Sequence, residues 1–123
     1  MSTTISGTSG VTFPDSTSMQ TGQQACKAWV NFNSTGTVAI RAAYNVSSIT
    51  DENVGAYIVN FTTALTDADF AVGASAGNGA GASRIITSGY ANTPTTLTTK
   101  INVRNSAFAT VDTEYVSVAI FSN

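Results

Sequence analysis

Histidine is absent from the chain and cysteine occurs once. Without an imidazole, the commonest general base and the usual partner of a serine or cysteine nucleophile are missing, and zinc loses its favoured ligands. Charge is scarce as well. Asp, Glu, Lys and Arg make up 10% of the residues, against roughly 25% in ordinary soluble domains. The net charge is −2 and no Lys or Arg run occurs, so the clustered cations that hold a phosphate backbone are lacking and nucleic acid is not an expected partner. No apolar run approaches the ~20 residues that cross a bilayer. Met1-Ser2-Thr3-Thr4 has neither the basic nor the apolar region of a signal peptide. The chain therefore reads as made and kept in a cytosol until something releases it, without membrane insertion.

What is present is enough for one domain: 123 residues, 42% of them hydrophobic, with a mean hydropathy of +0.11 that argues against wholesale disorder. Solubility rests on Ser, Thr and Asn rather than on ions. Cys26 cannot form an intrachain disulfide. It alternates with Ala28, Val30 and Phe32 and reads as a buried thiol, an interchain bond or a reactive role being the alternatives. The tripeptides at Asn33, Asn45 and Asn60 match the glycosylation pattern, but no secretory signal accompanies them and they receive no role.

Residues 1–24 are rich in small hydroxyl side chains, with Val11, Phe13 and Met19 as the large apolar groups and Pro14 forcing an extended conformation before it. This stretch reads as an extended arm that anchors on a neighbour, through Val11, Phe13, Pro14 and Met19. A frayed terminus is the plainer alternative. Residues 25–123 read as an antiparallel β-sandwich. Period-two alternation places strands near 25–33, 37–46, 56–63, 69–75, 84–90, 95–104 and 114–121. Val38, Ile40, Ala42 and Tyr44 share a face expected to be core. In the last strand Val116, Val118 and Ile120 alternate with Tyr115, Ala119 and Phe121, so both faces are apolar and the strand is either central or sealed by another subunit. Residues 33–36, 51–55 and 66–69 read as hairpin connections. The fold class is all-β: a jelly-roll-like sandwich of seven or eight short strands, with strand order left open.

The acidic pairs Asp51/Glu52, Asp67/Asp69 and Asp112/Glu114 are the remaining route to catalysis, since glycoside hydrolysis needs two carboxyl groups about 5–9.5 Å apart. Each pair falls at a turn or strand edge where carboxylates cap the backbone, so no enzymatic activity and no cofactor are expected. Asp67-Ala68-Asp69 offers too few oxygens for calcium, so no metal site is expected either. Residues 73–83 form the one low-complexity stretch. Gly77, Gly79 and Gly81 have the wrong spacing for a phosphate-cradling loop, and no lysine follows. The stretch reads as a linker or as a variable binding loop, with Asn78, Arg84, Tyr90 and Asn92 able to stack on or hydrogen-bond a glycan. Trp29 and the tyrosines at 44, 57, 90 and 115 could also serve as sugar platforms, although strand alternation favours core or interface positions. Trp29 shares its face with Lys27 and Asn31 and is the one expected to be partly exposed.

Several spaced motifs carry a family resemblance. Gly10-Val11-Thr12-Phe13-Pro14-Asp15 leads in; Lys27-Ala28-Trp29-Val30-Asn31-Phe32 and Tyr44-Asn45-Val46-Ser47-Ser48-Ile49 follow. Tyr57-Ile58-Val59-Asn60-Phe61 is then succeeded by Phe70-Ala71-Val72. Together residues 10–75 resemble the C-terminal domain at the ends of bacteriophage tail fibres and related virion appendages. The resemblance implies a virion structural protein, assembled as a homotrimer, that takes part in host-surface attachment. Its implied partners are itself, other virion proteins through the arm, and a host-surface glycan or protein. Met1 to Asn123 is too short for a fibre shaft, so the expectation is a complete small product such as a short fibre, a tip protein or a capsid-surface decoration. A capsid decoration or cementing protein and a carbohydrate-binding module stay open as alternatives.

Overall fold

Ala28, Val30 and Phe32 alternate with Lys27, Trp29 and Asn31, and in the computed structural model this alternation becomes the two faces of one strand. The structure describes residues 2–8, 10–19, 25–88 and 93–122. Within them the strands are β1 (Thr4–Ser6), β2 (Gly10–Thr12), β3 (Ser18–Met19), β4 (Cys26–Asn33), β5 (Ala39–Tyr44), β6 (Val46–Asn53), β7 (Ala56–Phe61), β8 (Ala71–Gly77), β9 (Ile85–Ser88), β10 (Thr98–Arg104) and β11 (Tyr115–Phe121). Eight of them form two four-stranded sheets, ordered β5-β4-β11-β8 and β6-β7-β10-β9, and every pairing within them is antiparallel. The hairpins β4–β5, β6–β7 and β9–β10 stay within one sheet, and the chain changes sheet at each other step from β5 onward.

The core is the space between the sheets. Ala28, Val30, Phe32, Val116, Val118 and Ile120 face Tyr57, Val59, Phe61, Ile101 and Val103, all buried. Phe32 and Tyr57 meet edge to face with ring centroids 5.4 Å apart. Each large apolar side chain placed here contributes about 1.5–3 kcal/mol relative to exposure. This is the all-β sandwich expected from the alternation, and β11, apolar on both faces, is central, between β4 and β8.

Several details differ from the sequence reading. The described part of the N-terminal arm folds back on itself instead of running extended: β1, β2 and β3 form a small antiparallel sheet in which Ile5, Val11 and Met19 lie side by side. Phe13 and Pro14 stand at its β2–β3 turn, where Asp15 accepts from the amide and hydroxyl of Thr17. Those two hydrogen bonds, the hydroxyl's first, hold the Asp15 carboxyl below its ordinary range. Of the face expected from Val38, Ile40, Ala42 and Tyr44, only Val38 packs against the core. A β-bulge between Asn31 and Phe32 places Ile40 opposite Phe32, but Ala42 and Tyr44 opposite Asn31 and Trp29 on the outer side. β5 is an edge strand exposed along its length. Residues 73–77 are strand rather than linker, and residues 66–69 cross between sheets instead of closing a hairpin.

β6 begins one residue after β5, at a corner made by Asn45 in the left-handed region, φ 53°. Asn is among the few side chains that tolerate this conformation. Its amide nitrogen donates to Lys27 O (3.1 Å) and Thr63 O (3.2 Å), and its oxygen accepts from Thr63 N (2.7 Å). One side chain thus ties the start of β4 to the β7–β8 connection. At the opposite end of the sandwich Ser34 Oγ donates to Thr113 O (2.9 Å) and accepts from Thr113 N (2.8 Å). Beside them Tyr57 OH donates to Asp112, which also accepts from Gly55 N at 2.9 Å.

Candidate functional site

The outer face of the β5-β4-β11-β8 sheet has large rings standing on a floor of small residues. Register places Tyr44, Trp29, Ala119 and Gly73 in one row across the four strands. Ala42, Asn31, Ser117 and Ser75 form the next row, joined by Asn31 Nδ2 donating to Ser117 Oγ at 2.8 Å. Tyr115 lies beside Gly77, and Phe121 beside Ala71. Trp29 is 40% exposed, Tyr44 57%, Tyr115 50% and Phe121 43%. Lys27 and Arg41 supply the charge near this face. The Arg41 guanidinium sits 4.5 Å from the Tyr115 ring centroid and donates to Glu114 O at 2.6 Å.

At the end of the sandwich where β5 turns into β6, a cleft of about 490 Å³ is lined by Lys27, Tyr44, Asn45, residues 62–66 and Ser122. Tyr44 belongs to both features: it lines the cleft and stands directly across from Trp29 on the sheet face. The amide of Asn45 is used in holding backbone, whereas the side chains of Tyr44, Thr62 and Thr63 have no hydrogen-bond partner among the described residues. Among the described residues Lys27 has no carboxylate partner and no Asp or Glu lines the cleft.

Two of the expected glycan-contact residues at the glycine-rich stretch, Asn78 and Arg84, are engaged with their own loop. Asn78 Oδ1 accepts from Ala82 N at 2.9 Å and shapes its own loop. Arg84 is half-buried, with Nη1 donating to Ser83 O at 3.0 Å. Both lie at the end of the sandwich opposite the cleft. Tyr90 and Asn92 lie outside the described residues. Trp29 is exposed as expected, on the sheet face rather than near Asn78 and Arg84. Of the anchor candidates, Val11 and Met19 are half-buried in the small N-terminal sheet, while Phe13 and Pro14 are exposed at its turn. Sequence reasoning missed Lys27, Thr62 and Thr63, and it placed Tyr44 in the core. The readable signal was the Thr62-Thr63 pair, which breaks the alternation after Phe61.

At least one carboxylate of each acidic pair is engaged locally. Glu52 pairs with Lys100 at 2.5 Å, Asp67 accepts from Asp69 N at 2.9 Å, and Glu114 accepts from Gly79 N at 2.9 Å. Among the described residues no cluster of three or more His, Cys, Asp and Glu could hold a metal, and no helix is long and apolar enough to cross a membrane. The Cys26 thiol is half-buried and donates to Ala28 O at 3.1 Å. The three glycosylation-pattern asparagines all have structural partners, Asn33 bonding Thr35 and Asn60 bonding Ser48 and Thr50. No protein-family model, curated protein or solved structure matches the chain.

Proposed function

We propose that the chain is a structural protein of a bacteriophage virion, similar to a tail-fibre end, which acts without catalysis as a homotrimer in host-surface attachment. The observation that carries this reading is the outer sheet face, where Trp29, Tyr44, Tyr115 and Phe121 are exposed and the described strand positions between them hold no Asp or Glu. Apolar surface of this kind, rimmed by polar residues, is characteristic of contact sites. In the proposed trimer the β11–β8 half of the face, with Tyr115, Phe121 and the small side chains of β8, packs against a neighbouring copy. The Trp29–Tyr44 half, on β4 and the edge strand β5, remains open for the host. The N-terminal sheet, with its row of Ile5, Val11 and Met19, attaches to another virion protein. The product is made in the host cytoplasm and carried on the particle.

Light scattering of the purified chain tests the assembly. A mass near three times 12.6 kDa is expected, and Ala119→Arg at the centre of the face should reduce it to one chain without loss of β circular dichroism. A wild-type monomer at micromolar concentration overturns the trimer. Labelled protein should bind host cells, and Trp29→Ala should weaken that binding while leaving the mass unchanged.

A further inference from the structure

We propose that the cleft beside the Asn45 corner is a binding site for an acidic saccharide, with Tyr44 as the stacking platform and Lys27 as the partner of the sugar carboxylate. The proposal deepens the attachment reading, because such a sugar would be the part of a host surface glycan that the protein contacts.

The first argument is preorganisation. At about 490 Å³ the cleft falls within the roughly 300–1,000 Å³ of small-molecule sites. Its walls are fixed by the hydrogen bonds of Asn45 to Lys27 O, Thr63 N and Thr63 O, and by Thr62 N donating to Asn45 O at 3.1 Å. A ligand entering it orders little additional chain, which keeps the entropic cost of binding low.

The second argument is the chemistry of the lining. A pyranose presents C–H groups on one face and hydroxyls around its rim, so it needs an aromatic surface and short polar side chains. Tyr44 supplies the surface, and Trp29 across from it extends that surface onto the sheet. Thr62 and Thr63 supply hydroxyls that can donate or accept. Lys27 then selects among sugars: it lines a cleft with no Asp or Glu among the described residues, so a neutral sugar leaves its ammonium uncompensated and an acidic one does not. A charge-assisted contact at a partly exposed site is worth about fivefold in affinity.

The test is a titration of the full-length ¹⁵N-labelled chain with a uronic-acid-containing disaccharide, its methyl ester, and sodium acetate. The acid should shift the amides of Lys27, Tyr44, Thr62 and Thr63, and bind about fivefold more tightly than the ester. Lys27→Met should abolish that preference while leaving ester binding unchanged, and Tyr44→Ala should remove binding of both. Both side chains are on the surface, and retained circular dichroism checks the fold. Equal affinity for acid and ester, shifts mapping to the opposite end around Asn78 and Phe108, or the same shifts with acetate alone would each overturn the proposal. Protein that binds host cells but does not respond to the disaccharide also overturns the cleft site and leaves attachment standing. Disaccharide binding at the cleft without cell binding supports the site and removes attachment instead.

Discussion

Gly55 turns the chain from β6 into β7 with φ +69°, and the space beyond its Cα is filled by backbone. A Cβ there would lie 2.5 Å from Val103 O, 2.7 Å from Val111 N and 3.0 Å from Val111 O. Gly55→Ala therefore meets separate penalties. Alanine in the left-handed region costs about 1–2 kcal/mol. Relieving the overlap pushes apart Val111 N and Val103 O, whose 3.1 Å hydrogen bond joins β10 to the segment before β11; losing it and leaving the groups unpaired costs about 1–3 kcal/mol. The same shift draws Gly55 N away from Asp112, to which it donates at 2.9 Å.

Together these reach about 2–5 kcal/mol, a large share of the roughly 5–15 kcal/mol that holds a small domain folded. With a urea slope of about 1–3 kcal/mol per molar, the unfolding midpoint should fall by about 2 M. Gly36 provides the control. It has a similar φ of +64° but nothing within 4 Å of a built Cβ, so Gly36→Ala pays the dihedral cost alone, about 1–2 kcal/mol. Urea titrations of both variants decide the matter, and equal midpoint shifts would refute the claim that backbone crowding sets the larger cost at Gly55.

Phe108, 67% exposed, is held at φ 61° by a loop in which Asn105 Oδ1 accepts from Ala107 N and Ala109 N; Phe108→Gly relieves the strain and should raise stability by about 1 kcal/mol in thermal unfolding. Asn45→Ala removes the corner hydrogen bonds and leaves Thr63 N unpaired, so a loss of about 2–4 kcal/mol is expected in urea, along with the cleft. The Tyr57 hydroxyl is pushed up from 10.0 to about 12, first by burial and then by its hydrogen bond to Asp112. Deprotonation is therefore harder in the folded chain than in the unfolded one. The resulting stability is fully present below pH 10 and is lost as pH rises toward 12, an effect on the order of 2 kcal/mol. Tyr57→Phe should be less stable at neutral pH and should lack this alkaline slope when urea midpoints are measured against pH.

The parts of the fold legible in the sequence are those where burial is one-sided or two-sided along a whole strand. β4 and β11 alternate cleanly because both pack Val, Ile, Phe and Ala into the core, and β11 announces its central place by being apolar outside as well. β6 was not legible. As an edge strand it turns Ser47, Ser48 and Thr50 to solvent and offers only Val46 and Ile49 to the core, which is too short a signal for periodicity to register. β8 was half hidden for another reason: Gly73, Ala74, Ser75 and Gly77 have poor strand propensity, and they pair because β11 supplies a template along their length. Tyr44 was misplaced because one extra residue, Arg41, separates Ile40 from Ala42 in the pairing with β4. A bulge reverses every facing beyond it, and periodicity alone cannot reveal one. The three strands of the N-terminal sheet are too short for alternation to develop.

The same register separates the exposed rings into two kinds. Tyr115 stands beside Gly77, which has no side chain of its own, and Arg41 lies over it from across β4. An aromatic beside a glycine covers backbone that would otherwise be open to water, and the guanidinium adds about 0.5–1 kcal/mol at an exposed site. Tyr115 is thus braced on two sides, which suits a ring that must hold one position against a neighbouring subunit in the proposed trimer. Tyr44 has no such brace: it projects from an edge strand, with Trp29 beside it and the cleft below. A ring with one aromatic neighbour and an open side can tilt to meet a ligand face. What stands next to each ring supports the proposed division of the outer face into an assembly half and a contact half, since exposure alone makes Tyr115 and Tyr44 look alike.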